Sequence, residues 1–267
     1  AEAPSDNLCI AGGIALNCVA NTRVKSKFKN IHVPPFPNDT GLGIGMALFG
    51  HHKINGEPKT STYFSPYLGP VYSDDLVFKA CHASGYSYAN LDLDYLVKYL
   101  CERKPIVMCR GRSESGPRAL GNRSIMCVPD MENGRDFLNF QIKKREWYRP
   151  YAPIILDKHV DDVLEDYLPE SPYMSTSGTI KKDWRDRLSA VNHVDNSTRP
   201  QILKNEHNPF MYNLIERLYE RTGIPVLLNT SFNKQEPIVE TPEEAINTFK
   251  QFDNIGLMVL HNMQVIK

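Results

Sequence analysis

Apolar positions recur in two rhythms along this chain. Leu93, Leu96, Val97, Leu100 and Cys101 fall at i, i+3, i+4, i+7 and i+8, which is one face of a helix. The unbroken apolar run Ile106-Val107-Met108-Cys109 follows at once and has strand length. Further on, the pattern predicts a helix over 132–142 and a strand at Ile154-Ile155-Leu156. Asn208-Pro209 is a cap and first-turn pair for a helix running to Thr222, with Gly223 as its stop. Val226-Leu227-Leu228 reads as a buried strand ending in the polar loop 229–233. Thr241-Pro242-Glu243-Glu244 opens a last helix with capping-box spacing, and 255–260 reads as a last strand. In the first sixty residues a short strand over 8–11 runs into Gly12-Gly13, with a helix-like stretch beyond. Asn38, Asp39 or Thr40 is the expected cap of a helix carrying Gly41, Gly43 and Gly45. Residues 170–200 show no period and read as loops. Alternating helices and strands make this an α/β chain. The Pro-, Ser-, Thr- and Tyr-rich stretch 56–73 has linker composition and places a domain boundary near 61–70, dividing the chain into 1–60 and 61–267.

Charge changes the picture more than composition does. The chain has 267 residues, 41% apolar and 23% charged, ordinary values for a globular protein. Its 31 basic and 31 acidic residues balance. Between 110 and 149, however, Arg110, Arg112, Arg118, Arg123, Arg135, Lys143, Lys144, Arg145 and Arg149 face only Glu114, Asp130, Glu132, Asp136 and Glu146. Such a local excess is a device for holding a polyanion, not the profile of a protein that binds nucleic acid in bulk. An acidic stretch from Asp157 to Glu170 follows and reads as a solvated helix face. No apolar run approaches the roughly 20 residues that span a bilayer, and no secretory signal is visible. Six cysteines are scattered without a CxxC pair, four of them in apolar or helical runs, as expected of thiols in a reducing cytoplasm. The chain opens AEAPSDN without Met, as if cut from a longer protein.

Candidate chemistry concentrates where strands end, the usual place for ligands in open α/β sheets. Gly111 to Arg118 has the G-x4-G spacing of a phosphate loop, but Pro-Arg stands where Lys-Ser/Thr is required, so it is not a Walker A motif. Arg112, Arg118 and Arg123 suit anion binding through their planar forks; the bland reading is a solvated, salt-bridged loop. Lys143 and Arg145 read equally as anion ligands or as cations closing a helix. Ser231 and Asn233 taken alone are turn formers. His193-Val194-Asp195 reads as one more loop, with Arg199 beyond it as another possible anion contact. Gly12-Gly13 suits either close backbone approach to a nucleotide or a tight turn. Asp39 suits a cap better than a metal ligand, and the adjacent His51-His52 point apart.

Taken together, GGIALNCVANTRV (12–24), PPFPNDTGLGIGMAL (34–48), SPYLGPVYS (65–73), GRSESGPRALGNRSI (111–125), NFQIKKREWYRPYAP (139–153), HVDNSTRPQ (193–201) and TGIPVLLNTSFN with EPIVETPEEA (222–245) resemble the ATP-dependent O-carbamoyltransferases of nodulation-factor and antibiotic biosynthesis. The resemblance implies two parts. Residues 1–60 would be the C-terminal remnant of an actin/hexokinase-like transfer domain. Residues 61–267 would be a YrdC-like domain, an open twisted sheet with helices, forming carbamoyl adenylate from carbamoyl phosphate and ATP, with Mg2+ accompanying the nucleotide. The carbamoyl group would then pass to a hydroxylated small molecule beside a ferrous ion.

Residue by residue, the YrdC signature K-x-R…S-x-N falls on Lys143, Arg145, Ser231 and Asn233. The resemblance makes Lys143, Arg145 and Arg118 catalytic, with Arg112, Arg123, Arg149, Arg199, Ser231 and Asn233 around the substrates. Gly12, Gly13 and Asn17 match a nucleotide-contacting loop, and Asp39 matches a metal-ligand aspartate. Three departures stand out: no HxxxH occurs, Ser115 replaces an apolar residue, and the loop Asn233 to Pro237 is one residue short and lacks its glycine. With one carboxylate the iron site is incomplete. A cytoplasmic location and no membrane or nucleic-acid partner are implied. The competing functions are threonylcarbamoyl-adenylate synthesis for tRNA modification and a non-catalytic RNA-binding module; for the latter, aromatic interleaving is thin, Trp147 and Tyr148 alone flanking the basic run.

Overall fold

The computed structural model describes residues 5–56 and 64–267. Near the N-terminus, β1 (Asn7–Cys9) and β2 (Asn30–His32) pair in parallel, joined through the short helix Cys18–Arg23. The remaining strands are β3 (Ser87–Asn90), β4 (Ile106–Cys109), β5 (Arg123–Cys127), β6 (Ala152–Leu156), β7 (Leu164–Glu165), β8 (Gly178–Ile180), β9 (Ser197–Thr198), β10 (Gln201–Leu203), β11 (Val226–Ser231), β12 (Leu257–Leu260) and β13 (Met263–Ile266). Eight of them form one mixed sheet in the order β10-β6-β11-β5-β4-β12-β13-β3, while β7, β8 and β9 make a small antiparallel sheet. The α/β class expected from the alternating pattern is therefore the architecture observed.

The two rhythms explain the core. Strands β4, β5, β6 and β12 are buried along their whole length, as expected of central strands covered on both faces. Helix Leu93–Cys101 buries Leu96, Val97 and Leu100; helix Pro209–Thr222 buries Met211, Leu214, Ile215 and Leu218. Those two pack together, the second lying on β6 and β11. Helix Pro242–Lys250 lies on β4 and β12 and against helix Asp74–Ser84. Its start is set by the capping box: the Thr241 hydroxyl accepts from the Glu244 amide, and Glu244 accepts from the Thr241 amide. Asn208 and Gly223 cap helix Pro209–Thr222 as its sequence predicts.

Several expectations need correction. None of Asn38, Asp39 or Thr40 caps helix Leu42–Asn55; Asp39–Gly41 forms a 3-10 turn instead, and the Thr40 hydroxyl donates to the Asn38 side chain. The polar segment after Leu228 is not a loop from its start, because β11 runs on to Ser231 by pairing with β5 and β6. Residues 170–200 contain β8 and β9. The acidic stretch is not one helix face: a 3-10 turn, Asp157–His159, a short helix, Val160–Val163, exposing Asp161 and Asp162, and β7 precede an irregular end over 166–170. The helix expected over 132–142 is a single α-turn, Gly134–Asp136, continued by π-helix over Phe137–Lys143. All six cysteines are free, with Cys81, Cys109 and Cys127 buried.

Residues 61–63 of the expected boundary lie outside the described residues. From Phe64 onward the chain is strapped to the loop after β4. Ser115 N donates to the Pro66 carbonyl at 2.7 Å, Gly69 N donates to the Ser113 carbonyl at 3.1 Å, and the Tyr67 hydroxyl donates to the Leu120 carbonyl at 2.9 Å. The N-terminal part also reaches across: Asn21 Nδ2 donates to the Ser175 carbonyl, and Thr22 Oγ1 accepts from Ser177 N. Gly116 sits at φ +121° so close to this part that a β-carbon would lie 2.6 Å from the Pro35 carbonyl oxygen.

Candidate functional site: a cavity ringed by guanidinium groups

Arg118, Arg145, Arg149 and Arg199 converge on one cavity of about 250 Å³, closed by Tyr151, Met174, Asn229, Thr230 and Ser231. Three separate segments supply these arginines, Arg145 and Arg149 sharing one loop, and β11 supplies the floor. No carboxylate lines it among the described residues. Of the four, only Arg149 has an ion-pair partner among the described residues, Glu146 at 3.8 Å, and guanidinium groups gathered this closely raise one another's energy in the free protein. Burial brings Arg199 down to about 10, with Arg118 beside it adding to the shift; burial also lowers Arg118. A polyanion relieves both penalties.

Asn139 holds this side together. It is wholly buried on the π-helical turn; its Nδ2 donates to the carbonyls of Trp147 (3.2 Å) and Arg149 (3.1 Å). Its Oδ1 accepts from Arg145 Nε and from the Tyr151 hydroxyl, both at 2.8 Å. The Arg145 guanidinium also lies 4.6 Å from the centre of the Tyr151 ring. One amide thus fixes an arginine, a tyrosine and the backbone of the connecting loop. Sequence reasoning passed over Asn139 and Tyr151, because a buried amide on a helix looks like any surface residue. Glu114 is a second overlooked organiser: its carboxylate accepts from the amides of Leu120 (2.7 Å) and Asn122 (2.8 Å), folding the Gly-rich loop back on itself.

The other anticipated residues occupy different places. Lys143 is 4% exposed, and its ammonium lies within 3.2 Å of four oxygens: the carbonyls of Ser231 and Asn233, Ser231 Oγ and Asn233 Oδ1. Burial and then Arg145 push it down to about 7, against acceptors that favour the charged form. It ties the end of β11 to the π-turn, just behind Ser231. Asn233 is a partner of Lys143, not a wall of the cavity. Arg112, Arg118 and Arg123, grouped by sequence, are separated. Arg112 donates to the Gly69 carbonyl at an exposed site. Arg123 is 0% exposed, donating to the carbonyls of Gly111, Asn122 and Glu240, with the Glu240 carboxylate 3.6 Å away.

In the N-terminal part, Gly12 and Asp39 line a second cavity of about 610 Å³, mostly apolar. Gly13 begins a 3-10 turn, and Asn17 Oδ1 is occupied in capping helix Cys18–Arg23. His32 is the other potential metal ligand on that lining, and among the described residues no three His, Cys, Asp or Glu side chains gather where they could hold a metal ion. The residues present do not fit a ferrous site. No helix among the described residues is long and apolar enough to cross a membrane.

Comparison with known proteins adds to this geometry. The family model for the carbamoyltransferase C-terminus matches residues 97–267, and that for the carbamoyltransferase N-terminus matches residues 1–48. Nodulation protein NolO of Bradyrhizobium diazoefficiens is 35% identical over 265 residues, covering 94% of this chain and 48% of that protein. Nodulation protein U of Rhizobium fredii is 39% identical over 231 residues, covering 85% of this chain and 38% of its own length. An uncharacterised protein of Methanocaldococcus jannaschii is 35% identical over 269 residues, 95% of this chain and 50% of the relative. The chain therefore spans half or less of the length of these relatives. With its C-terminal 171 residues inside one family model and its first 48 inside the companion model, the chain belongs to the carbamoyltransferase family.

Proposed function

We propose that this chain carries the ATP-activating part of an O-carbamoyltransferase and that the guanidinium-ringed cavity is where carbamoyl adenylate forms. In this reading the large mixed sheet is the YrdC-like unit of 61–267, and 1–60 is the end of an actin/hexokinase-like domain. The supporting observation is the ring itself: Arg118, Arg145, Arg149 and Arg199 around about 250 Å³ with no carboxylate in the lining.

The chemistry asks for little else. Water cleaves carbamoyl phosphate to carbamate and inorganic phosphate. A carbamate oxygen then attacks the α-phosphorus of ATP, a new P–O bond forms, and the bond to pyrophosphate breaks. Anion meets anion in that step, so fixed cations that neutralise charge and align the reactants account for most of the rate. Mg2+ arrives with the nucleotide. Arg145 and Arg149, anchored through Asn139, would hold the phosphates in line; Ser231 and Thr230 offer hydroxyls from the floor. Lys143, engaged with Ser231 and Asn233, would act as a positioning residue that presents Ser231, unless phosphate draws its ammonium away. No step is assigned to a ferrous ion. Transfer to an acceptor hydroxyl belongs to the intact family arrangement.

The test is pyrophosphate release by the purified chain with ATP and Mg2+. Carbamoyl phosphate should trigger it; threonine plus bicarbonate should not. Arg145→Ala and Arg149→Ala should each lower the rate on the order of a hundredfold, as for loss of one transition-state donor. Release with threonine and bicarbonate but not with carbamoyl phosphate would move the chain to tRNA modification. Unchanged rates in both variants would remove the cavity from the chemistry.

A further inference from the structure

One wall of the arginine cavity is an apolar side chain on an unfavourable backbone. Met174 lines the cavity, is 4% exposed and sits at φ 56°. A side chain of that size rarely adopts the left-handed region, because its β-carbon crowds the following carbonyl oxygen. Such a conformation persists only where the surrounding structure fixes it, and such outliers gather at ligand sites. Met174 packs with Leu120, Ala152 and Tyr173, and the Tyr173 hydroxyl donates to the Phe64 carbonyl at 2.7 Å. Those contacts hold the side chain. The backbone just beyond it is held from a distant part of the chain.

Asn21 belongs to the short helix Cys18–Arg23 and is 3% exposed. Its Nδ2 donates to the Ala15 carbonyl at 2.7 Å and to the Ser175 carbonyl at 2.8 Å, so both amide hydrogens are engaged. The neighbouring Thr22 hydroxyl accepts from Ser177 N at 2.8 Å and donates to the Cys18 carbonyl at 3.0 Å. Together they grip Ser175 and Ser177, directly after the strained Met174. A buried polar contact whose partners are all satisfied fixes one geometry. The same helix reaches the cations: Cys18, its first residue, acts electrostatically on both Arg118 and Arg199, opposing the fall that burial imposes on each. The loop bearing Arg118 is pressed against the N-terminal part as well, where Gly116 meets Pro35. Met174, Arg118 and Arg199 thus form the side of the cavity that the N-terminal part supports, whereas Arg145 and the Arg149 backbone hang on Asn139.

We propose that Asn21 and Thr22 are positioning residues for the arginine cavity: through Ser175 and Ser177 they hold Met174 in place and keep that wall closed around a bound polyphosphate. The clamp has this role only if the cavity takes phosphate, the reading on which it rests, and one titration series separates the two. The whole chain is titrated calorimetrically with inorganic tripolyphosphate. Arg149→Ala should weaken binding, marking the cavity as the site. Asn21→Ala and Thr22→Val should each weaken it roughly tenfold with the number of sites unchanged, within the reach of residues that act through a packed wall. Thr22→Ser keeps the hydroxyl and should restore the parent affinity. A merely structural loss would instead lower the number of sites and leave the dissociation constant of the remainder alone. Parent affinity in either Asn21→Ala or Thr22→Val, or a loss of sites alone, overturns the clamp and leaves the phosphate reading standing. So does a Thr22→Ser as weak as Thr22→Val. A parent that fails to bind tripolyphosphate, or an Arg149→Ala that binds it unchanged, removes the phosphate site and the clamp's role with it. If Asn21→Ala does not fold, the two Thr22 variants decide.

Discussion

Replacing Asn139 by Ala is the sharpest probe of how the arginine ring is organised. The side chain makes four hydrogen bonds and is wholly buried. The two carbonyls it serves belong to exposed residues, Trp147 and Arg149, and water can replace the amide there. The other two losses are harder to repair. The Tyr151 hydroxyl is buried, and stranding it costs about 1–2 kcal/mol; a bond to a charged group such as Arg145 contributes about 1.5–3 kcal/mol. Allowing for relaxation, Asn139→Ala should lower stability by about 3 kcal/mol, read as a shifted urea midpoint with unchanged slope. Tyr151→Phe removes a single bond and should cost about 1 kcal/mol. The double variant should cost less than the sum of the two, because both delete the same contact. Pyrophosphate release should fall at least tenfold in Asn139→Ala, since Arg145 loses its anchor, and much less in Tyr151→Phe. A stability within about 0.5 kcal/mol of the parent, the scatter expected of an ordinary surface substitution, would refute the network.

Three further outcomes follow from the same coordinates. Gly116→Ala must place a β-carbon 2.6 Å from the Pro35 carbonyl at φ +121°, and should cost about 2 kcal/mol or more; Gly43→Ala, with nothing within 4 Å on helix Leu42–Asn55, should be neutral or gain up to about 1 kcal/mol in thermal unfolding. His261 is pushed down to about 4 by burial and by Arg123 and Arg110. The unfolded chain therefore binds a proton between pH 6.5 and 4 that the folded chain refuses, so stability should fall as pH drops through that window. His261→Asn, suited to the residue's φ of 53°, should flatten that part of the urea-midpoint profile. Thr241→Ala removes the capping hydroxyl of helix Pro242–Lys250 and should cost about 1 kcal/mol in denaturant unfolding.

What was legible in the sequence was whatever announces itself locally. Helix Leu93–Cys101 shows its apolar face, helices Pro209–Thr222 and Pro242–Lys250 carry their caps, and β4 and the start of β11 are unbroken apolar runs. Strand β5 was not legible, because it opens with Arg123 and Ser124, and only distant carbonyls make a buried arginine tolerable there. Strands β3 and β13 lie at the sheet margin, where polar residues hide the alternation, and β3 is mostly exposed. Helix Asp74–Ser84 begins directly after a Pro- and Tyr-rich stretch that masked its Ser73 cap. At the site, charge density in the sequence pointed to Arg118, Arg145 and Arg149, while Arg199 stood out only as a further possible anion contact beyond a loop. It could not separate Arg123, whose role is decided by burial, nor find Asn139, whose four partners meet only in three dimensions.

Arg123 also bears on how the chain reaches its final state. Its guanidinium is wholly buried, so β5 brings a polar group that must find acceptors to the middle of the sheet. One of its acceptors is the Glu240 carbonyl, 117 positions further along the chain, and β4 beside it waits for Leu257–Leu260 to pair in parallel. The sheet centre cannot close until Leu257–Leu260 have docked on β4. Refolding should accordingly be slow and late to cooperate, with a collapsed species preceding it, and deletion of the final strands should abolish the native state altogether.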